Sequence, residues 1–212
     1  MMDRPRDNRR IDSERFGSVG YCVEGTAAQK CVLIHGWNGH SGTWEKTIDA
    51  MKNKYTVIAP SLPPFFGDFA DIPIADYTST VEKIMRREGV TQTVLAGNSM
   101  GGWISMNCII RNPGLASALI LEDTAGAGYG NRVEDSSPYV EAIRESKIPT
   151  LIIWGEHDDV IPPSTGERLM GELPDSIYRV IPGAGHVPHR DKPEAFIELV
   201  TVFLSDVNGT YR

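Results

Sequence analysis

The chain has 212 residues and a formal net charge of −7. This length predicts a single domain with a full hydrophobic core. The acidic balance argues against nucleic acid or an anionic membrane surface as a partner, because both attract clustered lysine and arginine.

The first 15 residues, "MMDRPRDNRRIDSER", carry many charges and no apolar run. They predict neither a secretory signal nor a membrane-spanning helix. We expect residues 1–15 to form a mobile arm, because they bury too little apolar surface to become ordered. Residues 16–212 are expected to form one domain, and none of their stretches is apolar for long enough to span a bilayer.

Seven short apolar runs predict strands. The first, residues 19–25, alternates between apolar and polar residues, which is typical of an antiparallel strand. The others are almost continuously apolar and rich in β-branched residues, which is typical of parallel strands covered on both faces. They span residues 31–36, 55–60, 92–97, 118–123, 150–155 and 176–183, and the last is the weakest.

Segments with helical periodicity lie between these runs, at residues 43–54, 79–89, 103–114, 162–173 and 192–204. The alternation predicts an α/β fold, a mostly parallel twisted sheet with helices on both faces. Residues 124–148 break the alternation, since they are first rich in glycine and then offer one short helix near residues 138–146. An insertion of this length is usually functional, so we expect a minimal one-helix lid.

Three cysteines, Cys22, Cys31 and Cys108, form an odd set without the spacing of a zinc site. No base lies beside any of them in the sequence, which argues against a cysteine nucleophile. A disulfide between Cys22 and Cys31 is one alternative, but buried, reduced thiols in a cytoplasmic protein are the expectation.

Ser99 lies in "GNSMGG", between a predicted strand and a predicted helix. The G-x-S-x-G pattern arises easily by chance, but a tight strand-to-helix turn holds its central residue in strained geometry and exposes its hydroxyl. The N-terminus of the following helix favours developing negative charge there. Ser99 is therefore the candidate nucleophile.

A serine hydroxyl needs a base, and the base needs a carboxylate that fixes its tautomer. His186 is the favoured base, because it lies in a glycine-flanked loop after the last predicted strand, and His189 is its rival. Asp158, just past a strand, is the favoured carboxylate, with Asp159 and Asp123 as competitors. The His-x-x-His spacing also suggests a metal pair, but no matching carboxylate cluster accompanies it, so no metal is expected.

Acyl transfer also needs two backbone N–H donors for the oxyanion. One is expected from Met100, directly after the nucleophile, and the other from Trp37, in the loop after the strand at residues 31–36. His35, at the end of that strand, is expected to have a structural role.

The order Ser99, Asp158, His186, with "HGW" upstream, resembles the α/β-hydrolase superfamily over about residues 18–204. "HGWNGHSGTW" is similar to the oxyanion segment of small carboxylesterases, and "GNSMGG" is similar to the elbow of carbon–carbon bond hydrolases. The resemblance implies the α/β-hydrolase fold with a Ser-His-Asp triad and no cofactor. One departure is "SLPPFFGD" at residues 61–68, where the family commonly has Asp-Leu-Pro-Gly-x-Gly, and it leaves one pocket wall open to question.

The leading hypothesis is a serine hydrolase, a monomer or homodimer, that cleaves a small or medium carboxylic ester through an acyl-enzyme. Its small-molecule acyl substrate is expected in an open pocket under the short lid. The alternatives are a carbon–carbon bond hydrolase of β-diketone or ring-fission-type substrates, and a non-catalytic ligand-binding protein. The candidate pocket walls are Phe65, Phe66, Trp103 and Tyr129.

Overall fold

The computed structural model of the chain describes residues 4–64, 73–126 and 137–210. Within this part, the strands are β1 Arg9–Ser13, β2 Gly17–Glu24, β3 Lys30–Ile34, β4 Thr56–Ser61, β5 Thr93–Asn98, β6 Ala116–Glu122, β7 Thr150–Gly155 and β8 Ile177–Ile181. They form one sheet in the order β1-β2-β4-β3-β5-β6-β7-β8. Strands β3 to β8 run parallel to one another, and β1 and β2 are antiparallel additions at one edge.

The described helices are α1 Glu45–Met51, α2 Ile74–Arg87, α3 Met100–Arg111, α4 Ser137–Ser146, α5 Pro163–Glu172, α6 Pro188–Asp191 and α7 Pro193–Thr210, and a short 3₁₀ helix, Ser41–Trp44, precedes α1. Apolar side chains of α1 and α7 pack on one face of the sheet, and those of α2, α3, α4 and α5 pack on the other. Strands β5 and β7 are buried at every position, because helices cover both of their faces. The predicted α/β architecture is confirmed.

The prediction of a mobile arm over residues 1–15 is wrong for residues 9–13, which form β1 and pair with β2. Burial alternates along β1, so that Ile11 faces the core while the neighbouring charged side chains face solvent. Upstream, one carboxylate oxygen of Asp7 accepts hydrogen bonds from the hydroxyls of Ser41 (2.7 Å) and Ser61 (2.6 Å). Pairing with β2 thus orders a segment whose composition alone does not predict an ordered structure.

Helix α4 confirms that the insertion at residues 124–148 contains one short helix in its described part. It packs against α3, where Trp103 Nε1 donates a hydrogen bond to the Tyr139 hydroxyl at 2.8 Å. A lid function for this segment stays a prediction. In the described part of the chain, no helix is both long and apolar enough to cross a membrane.

Candidate active site

The candidate residues lie in loops that follow strands of the parallel sheet. Ser99 follows β5, Asp123 follows β6, Asp158 follows β7 and His186 follows β8. Because parallel strands end at the same edge of the sheet, these four loops meet at its carboxyl end, which is where α/β folds place their ligand sites.

Ser99 occupies a strained turn between β5 and α3. Its backbone has a φ of +52° and a ψ of −117°, a region that residues with a Cβ rarely adopt. The Ser99 N–H donates to the carbonyl of Glu122 (2.9 Å), and the Ser99 carbonyl accepts from the N–H groups of Gly102 (3.0 Å) and Ala125 (3.0 Å). These bonds from β6, α3 and the following loop hold the strained residue in place.

Glycines around Ser99 allow three chain segments to approach closely. A Cβ atom at Gly101 would lie 2.0 Å from the carbonyl oxygen of Ile34 in β3. A Cβ at Gly97 would lie 2.3 Å from the backbone of Gly101, and one at Gly102 would lie 2.1 Å from the Thr124 hydroxyl oxygen. The glycines of the motif are therefore required by packing.

Replacing Gly101 with alanine is expected to lower the free energy of unfolding by about 1–3 kcal/mol, because the new methyl group meets the backbone of a central strand that has no room to move. Urea unfolding measures the change. Gly171→Ala is the matched control, since Gly171 also lies in a helix but faces open space. The control is expected to stabilise the protein slightly, and equal losses in both variants would contradict the packing argument.

His186 and Asp158 form a hydrogen-bonded pair. The ring Nδ1 donates to Asp158 Oδ2 at 2.8 Å, while Asp158 Oδ1 accepts from the N–H groups of Val160 (2.8 Å) and Ile161 (2.9 Å). Burial alone would raise the pKa of Asp158, but hydrogen bonds from His186, Asp123 and the Ile161 N–H outweigh it and lower the pKa. An ionised Asp158 fixes the ring tautomer and leaves Nε2 as the nitrogen able to accept a proton.

The His186 loop is tied to the serine turn through Asn98. Its side-chain amide donates to the carbonyl of His186 at 3.0 Å, and the next residue along the chain is Ser99. The hydrogen bonds of the described residues join His186 to Asp158 and do not include one to the Ser99 hydroxyl. Proton transfer between Ser99 and His186 is therefore part of the proposed mechanism below.

Asp123, the competitor for Asp158, lies directly beside the pair. Its Oδ1 accepts the Gly155 N–H at 3.0 Å, and its side chain is fully buried. Atoms of Asp123, Asp158 and His186 lie within 4.8 Å of one another. Burial, a hydrogen bond shared with Asp158 and the charge of Glu122 raise the pKa of Asp123 far enough for the carboxyl to keep its proton at neutral pH. The other competitor, Asp159, is exposed.

These three side chains are close enough to ligate an ion, but their hydrogen bonds do not fit that role. Both Asp158 oxygens already accept N–H donors, and the Nδ1 of His186 is one of those donors. An ion would have to displace bonds that fix the site. We therefore assign no ion to this group.

His189, the rival base, is hydrogen-bonded to Glu122 and not to Asp158. Its N–H and its ring Nδ1 donate to the two carboxylate oxygens of Glu122, each at 2.6 Å, and both side chains are buried. The His189 ring also stacks on Trp44, with the ring centroids 3.6 Å apart. The sequence analysis missed Glu122, although it stands beside Asp123 at the end of β6.

His35 has the structural role expected of it. Its Nε2 accepts the Leu62 N–H at 2.8 Å, and its Nδ1 donates to the Gly36 carbonyl at 2.6 Å. Burial lowers the pKa of His35 to about 4, so the ring stays neutral. It joins the end of β3 to the segment after β4.

The loop after β3 crosses directly over the serine turn. A Cβ atom at Gly36 would lie 2.7 Å from the side-chain oxygen of Asn98 and 3.1 Å from the Cβ of Ser99. Trp37 is the next residue, and Met100 is the first residue of α3, where N–H groups have no acceptor within the helix. Their roles as oxyanion donors stay predictions.

Of the predicted pocket walls, Trp103 is described and is buried, with 4% of its surface exposed. It contacts the start of the insertion, since a Cβ atom at Gly126 would lie 2.4 Å from its ring. Phe65, Phe66 and Tyr129 lie outside the described residues. The pocket assignment stays a prediction.

The expectation of buried, unpaired thiols is confirmed, because Cys22, Cys31 and Cys108 are all free and buried. The cytoplasmic location stays a prediction. Burial raises the pKa of each thiol, to about 11 for Cys22 and about 12 for Cys108. Thiols in this state are poor nucleophiles.

Two models of known families match the chain. One, described as the alpha/beta hydrolase family, matches residues 31–138, and one described as the alpha/beta hydrolase fold matches residues 128–193. The chain belongs to the alpha/beta hydrolase family. A Bacillus subtilis protein named uncharacterized hydrolase YugF is 24% identical to this alpha/beta hydrolase. The alignment covers 83% of the present chain and 90% of the Bacillus subtilis protein. That alignment spans 246 positions, more than this alpha/beta hydrolase contains, so the relative includes segments that this chain lacks.

Solved structures share the fold. An esterase from Thermogutta terrifontis superposes with a TM-score of 0.77 at 18% identity, covering 94% of this alpha/beta hydrolase and 98% of the esterase. A meta-cleavage product hydrolase from Pseudomonas fluorescens superposes with a TM-score of 0.76 at 21% identity, covering 94% and 98% of the two chains. At such identities the likeness concerns the fold alone, and it confirms the predicted α/β-hydrolase fold.

Proposed function

We propose that this protein is a serine hydrolase that cleaves a small or medium carboxylic ester through an acyl-enzyme. The observation that carries the proposal is the strained Ser99 at the N-terminus of α3, on the sheet edge that also holds the Asp158–His186 hydrogen bond. Strain of this kind is retained where it positions a reacting group. The esterase among the solved neighbours supports the same reaction class.

In the proposed mechanism, the Ser99 hydroxyl attacks the ester carbonyl while His186 Nε2 takes its proton. The N–H groups of Met100 and Trp37 stabilise the oxyanion of the tetrahedral intermediate, with help from the N-terminus of α3. His186 then protonates the leaving alcohol, and a water molecule activated by the same ring hydrolyses the acyl-enzyme. Asp158 keeps the ring oriented and stabilises its charged form throughout.

Carbon–carbon bond hydrolysis is the second candidate. It is favoured by the sequence "GNSMGG" around Ser99 and by the meta-cleavage product hydrolase among the fold neighbours. The short insertion at residues 124–148 favours the ester, since a substrate that reacts at a carbon–carbon bond needs a more enclosed site. Rates with an aryl ester and with a ring-fission dienoate separate the two candidates. Faster turnover of the dienoate would reverse the preference.

A fluorophosphonate probe tests the serine hydrolase proposal directly. We expect one label per chain, located on the peptide that contains Ser99, because the probe reacts only with a serine activated by a base. Ser99→Ala provides the control and is expected to remain unlabelled. A folded wild-type protein that takes up no label would instead support a non-catalytic ligand-binding protein.

A further inference from the structure

We propose that Asp123 is a protonated carboxylic acid that donates a hydrogen bond to Asp158 and thereby positions the Asp158–His186 pair. The site then contains a chain of hydrogen bonds from Asp123 through Asp158 to His186. Its catalytic consequence rests on the proposed function, whereas the protonation of Asp123 does not.

The contacts of Asp123 assign the proton. Its Oδ1 accepts the Gly155 N–H, while its Oδ2 is fully buried and receives no bond from any N–H or hydroxyl group of the described residues. The carboxylate of Asp158 lies beside the Asp123 carboxyl group. Two carboxylates this close do not both ionise, so one of them keeps a proton.

The surrounding donors decide which carboxyl keeps it. Asp158 accepts three N–H donors, from Val160, Ile161 and His186, and each of them favours its ionised form. Asp123 accepts one. The proton therefore belongs on Asp123, whose Oδ2 then acts as a donor and is no longer an unpaired buried atom.

The charged and titratable groups that face Asp123 from neighbouring elements point the same way. Glu122, the last residue of β6, and Asp158, after β7, both disfavour a further negative charge. His186, after β8, is paired with Asp158. Tyr178 on β8 is kept neutral, because burial and nearby carboxylates raise its pKa to about 12.

A neutral donor at this position has two effects on the catalytic pair. It holds the Asp158 carboxylate in one orientation, with Oδ2 towards His186. It also leaves a single negative charge next to the ring, so the base is not made too strong to release its proton to the leaving group. Asp123 is therefore a positioning residue, which acts through Asp158.

The pH dependence of stability tests the protonation without any substrate. In the unfolded chain the Asp123 carboxyl ionises near its ordinary pKa of 3.8, while in the folded protein it keeps its proton. Above that pH the unfolded state binds fewer protons, so the stability of the wild type falls as the pH rises. Asp123→Asn has no proton to lose and keeps both hydrogen bonds, because its amide oxygen accepts from Gly155 and its amide nitrogen donates to Asp158.

We expect the urea midpoint of Asp123→Asn to rise relative to that of the wild type as the pH is raised from about 5 to about 8. Asp159→Asn, which removes an exposed carboxylate from the neighbouring loop, is the matched control for the loss of one charge. A difference between Asp123→Asn and the wild type that stays constant with pH would overturn the proposal. Infrared spectra of the wild type at about pH 8 give a second measurement. A carboxyl group that is still protonated at this pH shows the carbonyl band of a carboxylic acid, which ionised carboxylates lack.

The pH–rate profile tests the positioning role. Asp123→Ala is expected to lower kcat/KM by about 10-fold to 100-fold, because it removes a hydrogen bond to a charged group, and Asp123→Asn is expected to recover most of this loss. The acid limb of the Asp123→Asn profile should lie within about 0.5 pH unit of the wild type. A shift of about 1 unit or more to lower pH would show that an ionised Asp123 had been removed and would overturn the proposal.

The two proposals fail in different ways. If Ser99 did not react with fluorophosphonate, the serine hydrolase proposal would fail, while the stability and infrared measurements would still report on Asp123. If those measurements showed an ionised Asp123, the present inference would fail and the labelling of Ser99 would be unaffected.

Discussion

Ser99→Ala and Ser99→Gly are both expected to lower kcat for an activated aryl ester by about a million-fold, but to change stability in different ways. Under the proposed mechanism activity is lost because neither variant has a nucleophile, while the proposed oxyanion donors and binding pocket leave a small residual rate. The two variants differ in the Cβ atom, which Ser99 and alanine must place at a φ of +52°. Glycine has no such cost, so Ser99→Gly is expected to be about 1–2 kcal/mol more stable than Ser99→Ala.

Initial rates with the aryl ester and urea unfolding of both variants measure these effects. Lys147→Gly is the matched control for strain, since Lys147 is an exposed residue with a φ of +49° that lies outside the candidate site. It is expected to gain stability and keep wild-type activity. If Ser99→Gly were no more stable than Ser99→Ala, the strain would not be stored at this residue, and residual activity near the wild-type level would refute the serine mechanism.

The sequence predicted the parallel strands, and it singled out residues that the structure brings to one edge of the sheet, because both leave local signals. A continuous apolar run indicates a strand with two covered faces, and the glycines around Ser99 indicate a turn in which backbones nearly touch. Once the strands are parallel, their carboxyl ends lie at the same edge of the sheet, whatever the intervening sequence. For this reason Ser99 and the Asp158–His186 pair, although far apart along the chain, lie at one edge of the sheet.

The features that the sequence did not predict depend on contacts between distant residues. Strand β1 contains one buried aliphatic side chain, Ile11, among charged residues, and its order comes from pairing with β2. Asp123 and Asp158 each follow a strand of the sheet, so spacing alone could not decide between them. The structure places Asp158 in hydrogen-bond contact with His186 and Asp123 directly beside the pair, an arrangement that the spacing does not reveal.

Glu122 is the clearest example of a residue found through the structure, and Glu122→Ala is expected to lower the free energy of unfolding by about 3–5 kcal/mol. The variant leaves the His189 N–H and ring Nδ1 without acceptors in a fully buried position beside Trp44. Unpaired buried donors of this kind cost far more than a lost surface ion pair. Urea unfolding followed by circular dichroism measures the change.

Two further variants separate this cost from a general effect of charge. Glu122→Gln keeps one acceptor oxygen and is expected to lose less stability than Glu122→Ala, whereas Glu194→Ala breaks an exposed contact with Lys46 and is expected to unfold like the wild type. His189 lies three residues after His186, so its hydrogen bonds to Glu122 also hold the end of the loop that contains the proposed base. Glu122→Ala should therefore lower kcat more than it raises KM under conditions in which the variant remains folded. Wild-type stability in Glu122→Ala would mean that the buried pair contributes nothing beyond the packing around it.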